Sequence, residues 1–223
     1  MINYFPFDPL GFRCNPFGCP SDAEWAEIAV LPLPVVAALE QTTKHIQLIG
    51  PPGAGKTTTL LGLTRRLKLA GYRAIYEYIP YDSHVVTTNL KPPPDVFLAD
   101  EVQRLAPQER RRLLRFASVG RMIFSSHVDW EALFASQHLP LLTVRLENYT
   151  ADMWCCIWER RLAYFSLSGQ TPVTLAPTAI DWLRQKFGAN LRDAERWLYE
   201  VFQRLAAAGY CPPILEASYL EKL

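Results

Sequence analysis

Eight consecutive residues constrain this chain more than any other feature. Gly50-Pro51-Pro52-Gly53-Ala54-Gly55-Lys56-Thr57 matches the phosphate-binding pattern G-x-x-x-x-G-K-[ST] at every fixed position. The pattern works only between a buried strand and a helix. Its glycines let successive backbone N–H groups curl around a phosphate, and the helix N-terminus turns its positive dipole end to the same charge. Both flanks are present: His45–Gly50 is a short apolar run that reads as a strand, and Gly55–Ala70, closed by Gly71, reads as a helix. Gly50, Pro51, Pro52, Gly53, Ala54, Gly55, Lys56, Thr57 and the following Thr58 are therefore the expected nucleotide contacts. Lys56 is expected to reach the β- and γ-phosphates of ATP, and the Thr57 hydroxyl to ligate Mg2+.

Such a site needs an acidic residue at the tip of another buried strand. Val96–Ala99 is apolar throughout and ends in Asp100 and Glu101. Asp100 is the expected Mg2+ partner, through water, and Glu101 the residue that orients and activates the attacking water. A carboxylate in that place favours hydrolysis over transfer to a second substrate, for which no acceptor pocket is evident.

From His45 to about Tyr149, apolar runs alternate with helical stretches. The expected strands are His45–Gly50, Ala74–Ile79, Val96–Ala99, Met122–Ser125 and Leu142–Leu146. The expected helices are Gly55–Ala70, Pro107–Ala117 and Trp130–Ser136. That order predicts an α/β core with a parallel sheet and crossover helices. After Thr150 the strand signals stop, and Ala151–Leu167, Pro177–Phe187 and Leu191–Ala208 predict a small all-helical domain. The expected divisions are an aromatic and proline-rich arm over residues 1–40, the core over 41–149 and the helical domain over 150–223. Phe5, Phe7, Phe12 and Phe17 stand among the prolines of the arm, and Trp154, Trp158 and Tyr164 read as core of the helical domain.

Composition supports a globular chain: of 223 residues, 49% are hydrophobic and 20% charged, which excludes disorder over most of the length. The 23 basic and 22 acidic side chains leave a net charge of +1, so affinity for nucleic acid would have to come from a local patch. Arginine outnumbers lysine 17 to 6, the side chain suited to bidentate phosphate contacts. Ile28–Leu39, the longest uncharged stretch near the start, holds two prolines and is too short to span a bilayer, so no membrane insertion is expected. The first twelve residues carry no Lys or Arg, unlike a secretory signal, and none of the five cysteines forms a CxxC pair. The expectation is a cytoplasmic protein with reduced thiols.

The phosphate loop and the Asp100-Glu101 strand resemble those of AAA+ ATPases, and further segments follow in that family's order across roughly residues 40–208. Met122-Ile123-Phe124-Ser125-Ser126-His127 is similar to the sensor 1 strand, an apolar run ending in polar side chains. The resemblance implies that Ser126, with Ser125 or His127 as alternatives, touches the γ-phosphate or the lytic water. Gly188-Ala189-Asn190-Leu191-Arg192-Asp193-Ala194-Glu195 resembles the sensor 2 segment of the helical lid, which makes Arg192 the arginine facing the γ-phosphate. An ordinary helix start capped by Asn190 is the alternative for the same residues. Gly11-Phe12-Arg13 and Asn15-Pro16-Phe17 are similar to the arm of small ATPases of the ExeA and TniB type, associated with transposition or with DNA and envelope machinery. That likeness implies an arm over the adenine, and DNA or a DNA-bound protein as partner, with a homo-oligomer as the working form.

Two departures from the AAA+ pattern stand out. Leu133–Pro140, where ring-forming members carry an arginine finger, contains no arginine; Arg121 and Arg145 are the nearest. Tyr81–Asp95 is short and holds Pro92, Pro93 and Pro94, which argues for a reduced second core helix and against a long pore loop. Loss of such a finger costs other nucleotide hydrolases about 10³–10⁵ in rate, so a slow nucleotide switch that recruits a protein competes with an ATP-driven regulator or loader for DNA transactions. A P-loop kinase is disfavoured by Glu101 and Arg192. Arg104, Arg110, Arg111, Arg112 and Arg115 form either a solvated helix face interspersed with Glu109, a subunit contact or a nucleic-acid stripe. Leu167-Ser168-Gly169-Gln170 lies after the acidic pair, out of order for the transporter signature it resembles.

Overall fold

The computed structural model describes residues 6–40 and 44–221. Phe5 and the expected start of the core at residue 41 lie outside these. The chain forms two compact units: Asp22–Glu147, and the described residues through Ser21 together with those from Asn148 onward.

In the first unit, five parallel strands form one sheet: β1 (His45–Ile49), β2 (Ala74–Tyr78), β3 (Val96–Asp100), β4 (Arg121–Ser126) and β5 (Leu141–Arg145), in the order β2-β3-β4-β1-β5. The interior strands are apolar almost throughout because helices cover both faces of a parallel sheet. β3 is buried at all five positions, its terminal aspartate included. Around the strands lie α1 (Asp22–Ile28), α2 (Leu33–Glu40), α3 (Lys56–Leu69), α4 (Pro107–Ala117) and α5 (Glu131–Ala135). Pro107 starts α4 at the position where a missing N–H costs nothing. Phe124 on β4 stacks on Phe134 of α5 with ring centroids 5.5 Å apart, beside Trp130, and Phe97 meets Phe116 of α4 edge-on at 5.9 Å. Residues 22–40, expected to belong to an arm, carry α1 and α2 and belong to this unit.

No helix forms between β2 and β3. Side chains satisfy much of that backbone instead: Arg112 donates to the carbonyls of Val86 (2.8 Å) and Thr88 (2.9 Å), and Glu77 accepts from the amides of Thr87 (2.6 Å) and Thr88 (3.0 Å).

The second unit holds α6 (Ala151–Phe165), α7 (Pro177–Phe187), α8 (Leu191–Ala208) and α9 (Ala217–Leu220). It is not purely helical: β6 (Thr174–Leu175) and β7 (Ile214–Leu215) make a two-residue parallel pair. Strands of two residues carry no alternation that a sequence pattern can reveal. The segment before Ser21 is part of this unit's core. Phe12 is completely buried with its ring 5.6 Å from that of Phe202, and Phe17 lies 5.8 Å from Trp158. Arg161, 2% exposed, ties the segment down by donating to the carbonyls of Pro16 and Gly18, each at 2.6 Å, and to Glu195 Oε1 at 2.6 Å.

Candidate nucleotide site

Parallel topology puts the C-terminal ends of β1, β3 and β4 along one edge of the sheet, the edge where open α/β sheets bind ligands. Gly50 follows β1, Asp100 ends β3, and Ser125 and Ser126 end β4; the pairings Leu48↔Ser125, Ile49↔Ser126 and Ala99↔Phe124 bring these tips side by side.

The loop has the conformation its sequence requires. Gly53 and Gly55 adopt φ of 82° and 79°, in the left-handed region, and Gly55 stands at the N-terminus of α3. Gly50 answers a different need: a Cβ there would sit 2.6 Å from the Leu146 carbonyl oxygen. Lys56 is buried, and its ammonium donates to the Gly50 and Pro51 carbonyls at 2.8 and 3.1 Å, so the loop closes around its own lysine.

Thr57 joins the loop to β3 through a 2.7 Å bond from its hydroxyl to Asp100 Oδ2. Asp100 is completely buried and accepts two further hydroxyls: Tyr76 on Oδ2 at 3.2 Å and Ser125 on Oδ1 in a short bond. Burial and then the Asp100 charge push the Tyr76 phenol far above its ordinary range, so it stays a donor. Ser125 also accepts the Glu101 amide at 2.9 Å. Glu101 sits at φ 65°, a conformation that costs a non-glycine residue about 1–3 kcal/mol and is held by its surroundings. Its carboxylate contacts Gln103 Nε2 (2.7 Å), Arg104 (3.0 Å) and His127 Nε2 (3.5 Å).

The loop, Thr57, Asp100 and Glu101 thus stand together along this edge of the sheet. Of the three residues weighed at the end of β4, Ser125 touches both acidic residues, His127 pairs with Glu101, and the Ser126 hydroxyl accepts the Val128 amide at 3.0 Å. Arg192 is exposed near the start of α8 in the other unit, where Asn190 caps the helix by accepting the Asp193 amide at 3.2 Å. Gln103 and Tyr76 escape the sequence reading, and Arg104, grouped there with the arginines after Glu101, pairs with Glu101 itself. Tyr76 stands in a predicted strand, but nothing local says that this strand borders β3.

The arginines near Glu101 are mostly bound up in the fold. Arg104 donates to the Tyr78 hydroxyl (3.0 Å) and the Ile79 carbonyl (2.6 Å), and Arg110 to the carbonyls of Leu105 (2.9 Å) and Gln103 (2.7 Å); Arg111 and Arg115 are exposed. Arg121 donates to the Ala38, Leu39 and Lys44 carbonyls, closing the end of α2. Arg145 lies on the edge strand, 3.8 Å from Asp129.

These side chains fit a nucleoside triphosphate with Mg2+. Among the described residues no cluster of three or more His, Cys, Asp or Glu could hold a metal alone. Mg2+ is usually held by one or two oxygen side chains plus substrate phosphates, and Thr57 with Asp100 is such a pair.

No protein-family model matches the chain, and no curated protein matches it. Solved structures do. A RuvB variant from Thermotoga maritima superposes with a TM-score of 0.58 at 18% identity, over 85% of this chain and 65% of that one. AMPPCP-bound DnaA from Aquifex aeolicus gives 0.57 at 20%, over 82% and 66%, and NtrX from Brucella abortus in complex with ADP gives 0.53 at 12%, over 89% and 56%. This chain spans less than two thirds of the length of those proteins. With the phosphate loop, the acidic strand tip and the parallel sheet in place, the chain has the AAA+ P-loop NTPase fold with a helical C-terminal region.

Proposed function

We propose that the chain binds ATP with Mg2+ in the 50–58 loop, hydrolyses it, and serves as a cytoplasmic regulator or loader in DNA transactions of the transposition, recombination or replication kind. The observation that carries the nucleotide reading is the Thr57–Asp100 hydrogen bond, which couples the loop to the acidic strand. Lys56 is assigned to the β- and γ-phosphates, Thr57 and Asp100 to Mg2+, and Glu101 to accepting the proton of the attacking water. Bound Mg2+ supplies neutralisation of phosphate charge. Ser126, beside Ser125 and His127, and Arg192 are assigned to the γ-phosphate by resemblance. DNA or a DNA-bound protein as partner, and a homo-oligomer as the working form, complete the reading. Two similar structures support the DNA role by their own descriptions: a Holliday junction branch migration motor, and a replication initiator bound to AMPPCP and single-stranded DNA.

A slower nucleotide switch that recruits a protein is the second reading. It is favoured by the Glu101 carboxylate, whose contacts go to Gln103, Arg104 and His127, and by the lack of arginine in Leu133–Pro140.

Lys56→Ala is expected to abolish nucleotide binding, and Glu101→Gln to keep binding while trapping ATP. Equal turnover by wild type and Glu101→Gln would remove Glu101 from its role. Duplex DNA separates the two readings: a regulator on DNA turns over faster in its presence, a protein-recruiting switch does not.

A further inference from the structure

Asp100 presents an electrostatic problem. Its carboxylate is completely buried, and Arg104, which feels its charge, bonds to Tyr78, Ile79 and Glu101 instead. A buried charge needs hydrogen bonds to its acceptor positions. Here three hydroxyls supply them, each from a different element: Thr57 of α3 and Tyr76 of β2 on Oδ2, and Ser125 of β4 on Oδ1. A carboxylate offers about four lone-pair positions, so three hydroxyls leave about one.

The three donors are not equivalent. Thr57 is itself assigned to the cation, so its oxygen is shared. Ser125 also accepts the Glu101 amide. The Tyr76 hydroxyl is directed at Asp100, and the pairing Tyr78↔Asp100 places Tyr76 on the same face of the sheet, one pleat period back. It rises from the sheet, not from the phosphate loop.

We propose that Tyr76 is a positioning residue for the cation of this site: with Ser125 it fixes the Asp100 carboxylate so that its remaining acceptor position serves Mg2+ bound with a nucleoside triphosphate. The inference rests on the nucleotide reading above. Side chains that orient a ligating carboxylate from behind typically change metal affinity 10- to 100-fold when removed.

The test titrates Mg2+ into purified protein with a fluorescent ATP analogue, starting from EDTA. In Tyr76→Phe, affinity for the analogue in EDTA stays within about twofold of wild type, because the loop is untouched. The Mg2+ concentration giving half of the metal-dependent gain rises about 10-fold. Ser125→Ala moves it in the same direction. An unchanged half-saturation in a Tyr76→Phe protein with a wild-type circular dichroism melt overturns the inference and leaves the nucleotide reading standing. Failure of wild type to bind the analogue overturns both. If Tyr76→Phe does not fold, 3-fluorotyrosine at position 76 takes its place: the fluorine resonance shifts when Mg2+ joins bound nucleotide, and no shift overturns the inference.

Discussion

The Thr57 hydroxyl and Asp100 Oδ2 stand 2.7 Å apart although 43 positions separate them in the chain. The bond spans a helix start and a strand tip, so it exists only if β3 has found its place in the sheet.

Gln103 holds Glu101 Oε2 through its amide at 2.7 Å. Gln103→Leu removes that contact while keeping the bulk of the side chain. If the contact restrains the carboxylate, ATP turnover by phosphate release rises about tenfold, the equivalent of ~1.5 kcal/mol for one hydrogen bond to a charged group. Unchanged or slower turnover means that the amide supports Glu101 in its working position.

Gly50→Ala places a methyl group 2.6 Å from the Leu146 carbonyl oxygen. The atom it meets is backbone and cannot swing aside, so the strand and loop must part. Overpacking of this kind costs about 1–3 kcal/mol. Thermal unfolding is expected to fall accordingly, with weaker nucleotide binding, and a wild-type melting profile would show that the loop accommodates a side chain there.

Burial lifts the Glu195 carboxyl to about 6 from an ordinary 4.5, against the pull of Arg161 and Arg192. A raised pKa means that folding favours the neutral form. Its stabilising contribution is complete below about pH 4.5 and is lost as pH rises through about 6. Glu195→Gln keeps an acceptor for Arg161 and removes the titration. From about pH 3.5 to about pH 7 wild type should lose about 2 kcal/mol relative to the variant, read from urea unfolding at each pH. A constant difference would refute the linkage.

Phe12→Ala tests whether the N-terminal segment is structural. Phe12 is completely buried against Phe202, and truncation of a buried phenylalanine costs about 3–5 kcal/mol. Four of the six tryptophans, Trp154, Trp158, Trp182 and Trp197, lie in the same unit, so their fluorescence should report unfolding at lower denaturant. An unchanged midpoint would mean that the segment is an appendage.

The nucleotide loop was legible because its constraint is local. Glycine at positions 53 and 55 permits left-handed backbone, and a strand and a helix adjoin it in sequence. Asp100 was legible for a similar reason, as two carboxylates closing an apolar run. The arginines after Glu101 were not: Arg104, Arg110 and Arg112 read as a charged helix face, yet they bond carbonyls of the irregular segment before β3 and of the turn that leads into α4. No periodicity records such bonds, since a side chain reaching a distant carbonyl leaves no repeat behind. The same holds for Phe12 and Phe17, which read as an aromatic arm packed on the body and are core of the helical unit.

By itself, the sequence determined the phosphate loop, the alternation that makes a parallel sheet and the helices that follow it, because backbone conformation and hydrophobic periodicity are settled within a few residues of where they act. Tertiary structure alone decided which hydroxyls surround Asp100, what holds Glu101 and where residues 6–21 belong. Those contacts depend on the strand order β2-β3-β4-β1-β5 and on burial against distant partners, which are properties of the packed chain as a whole.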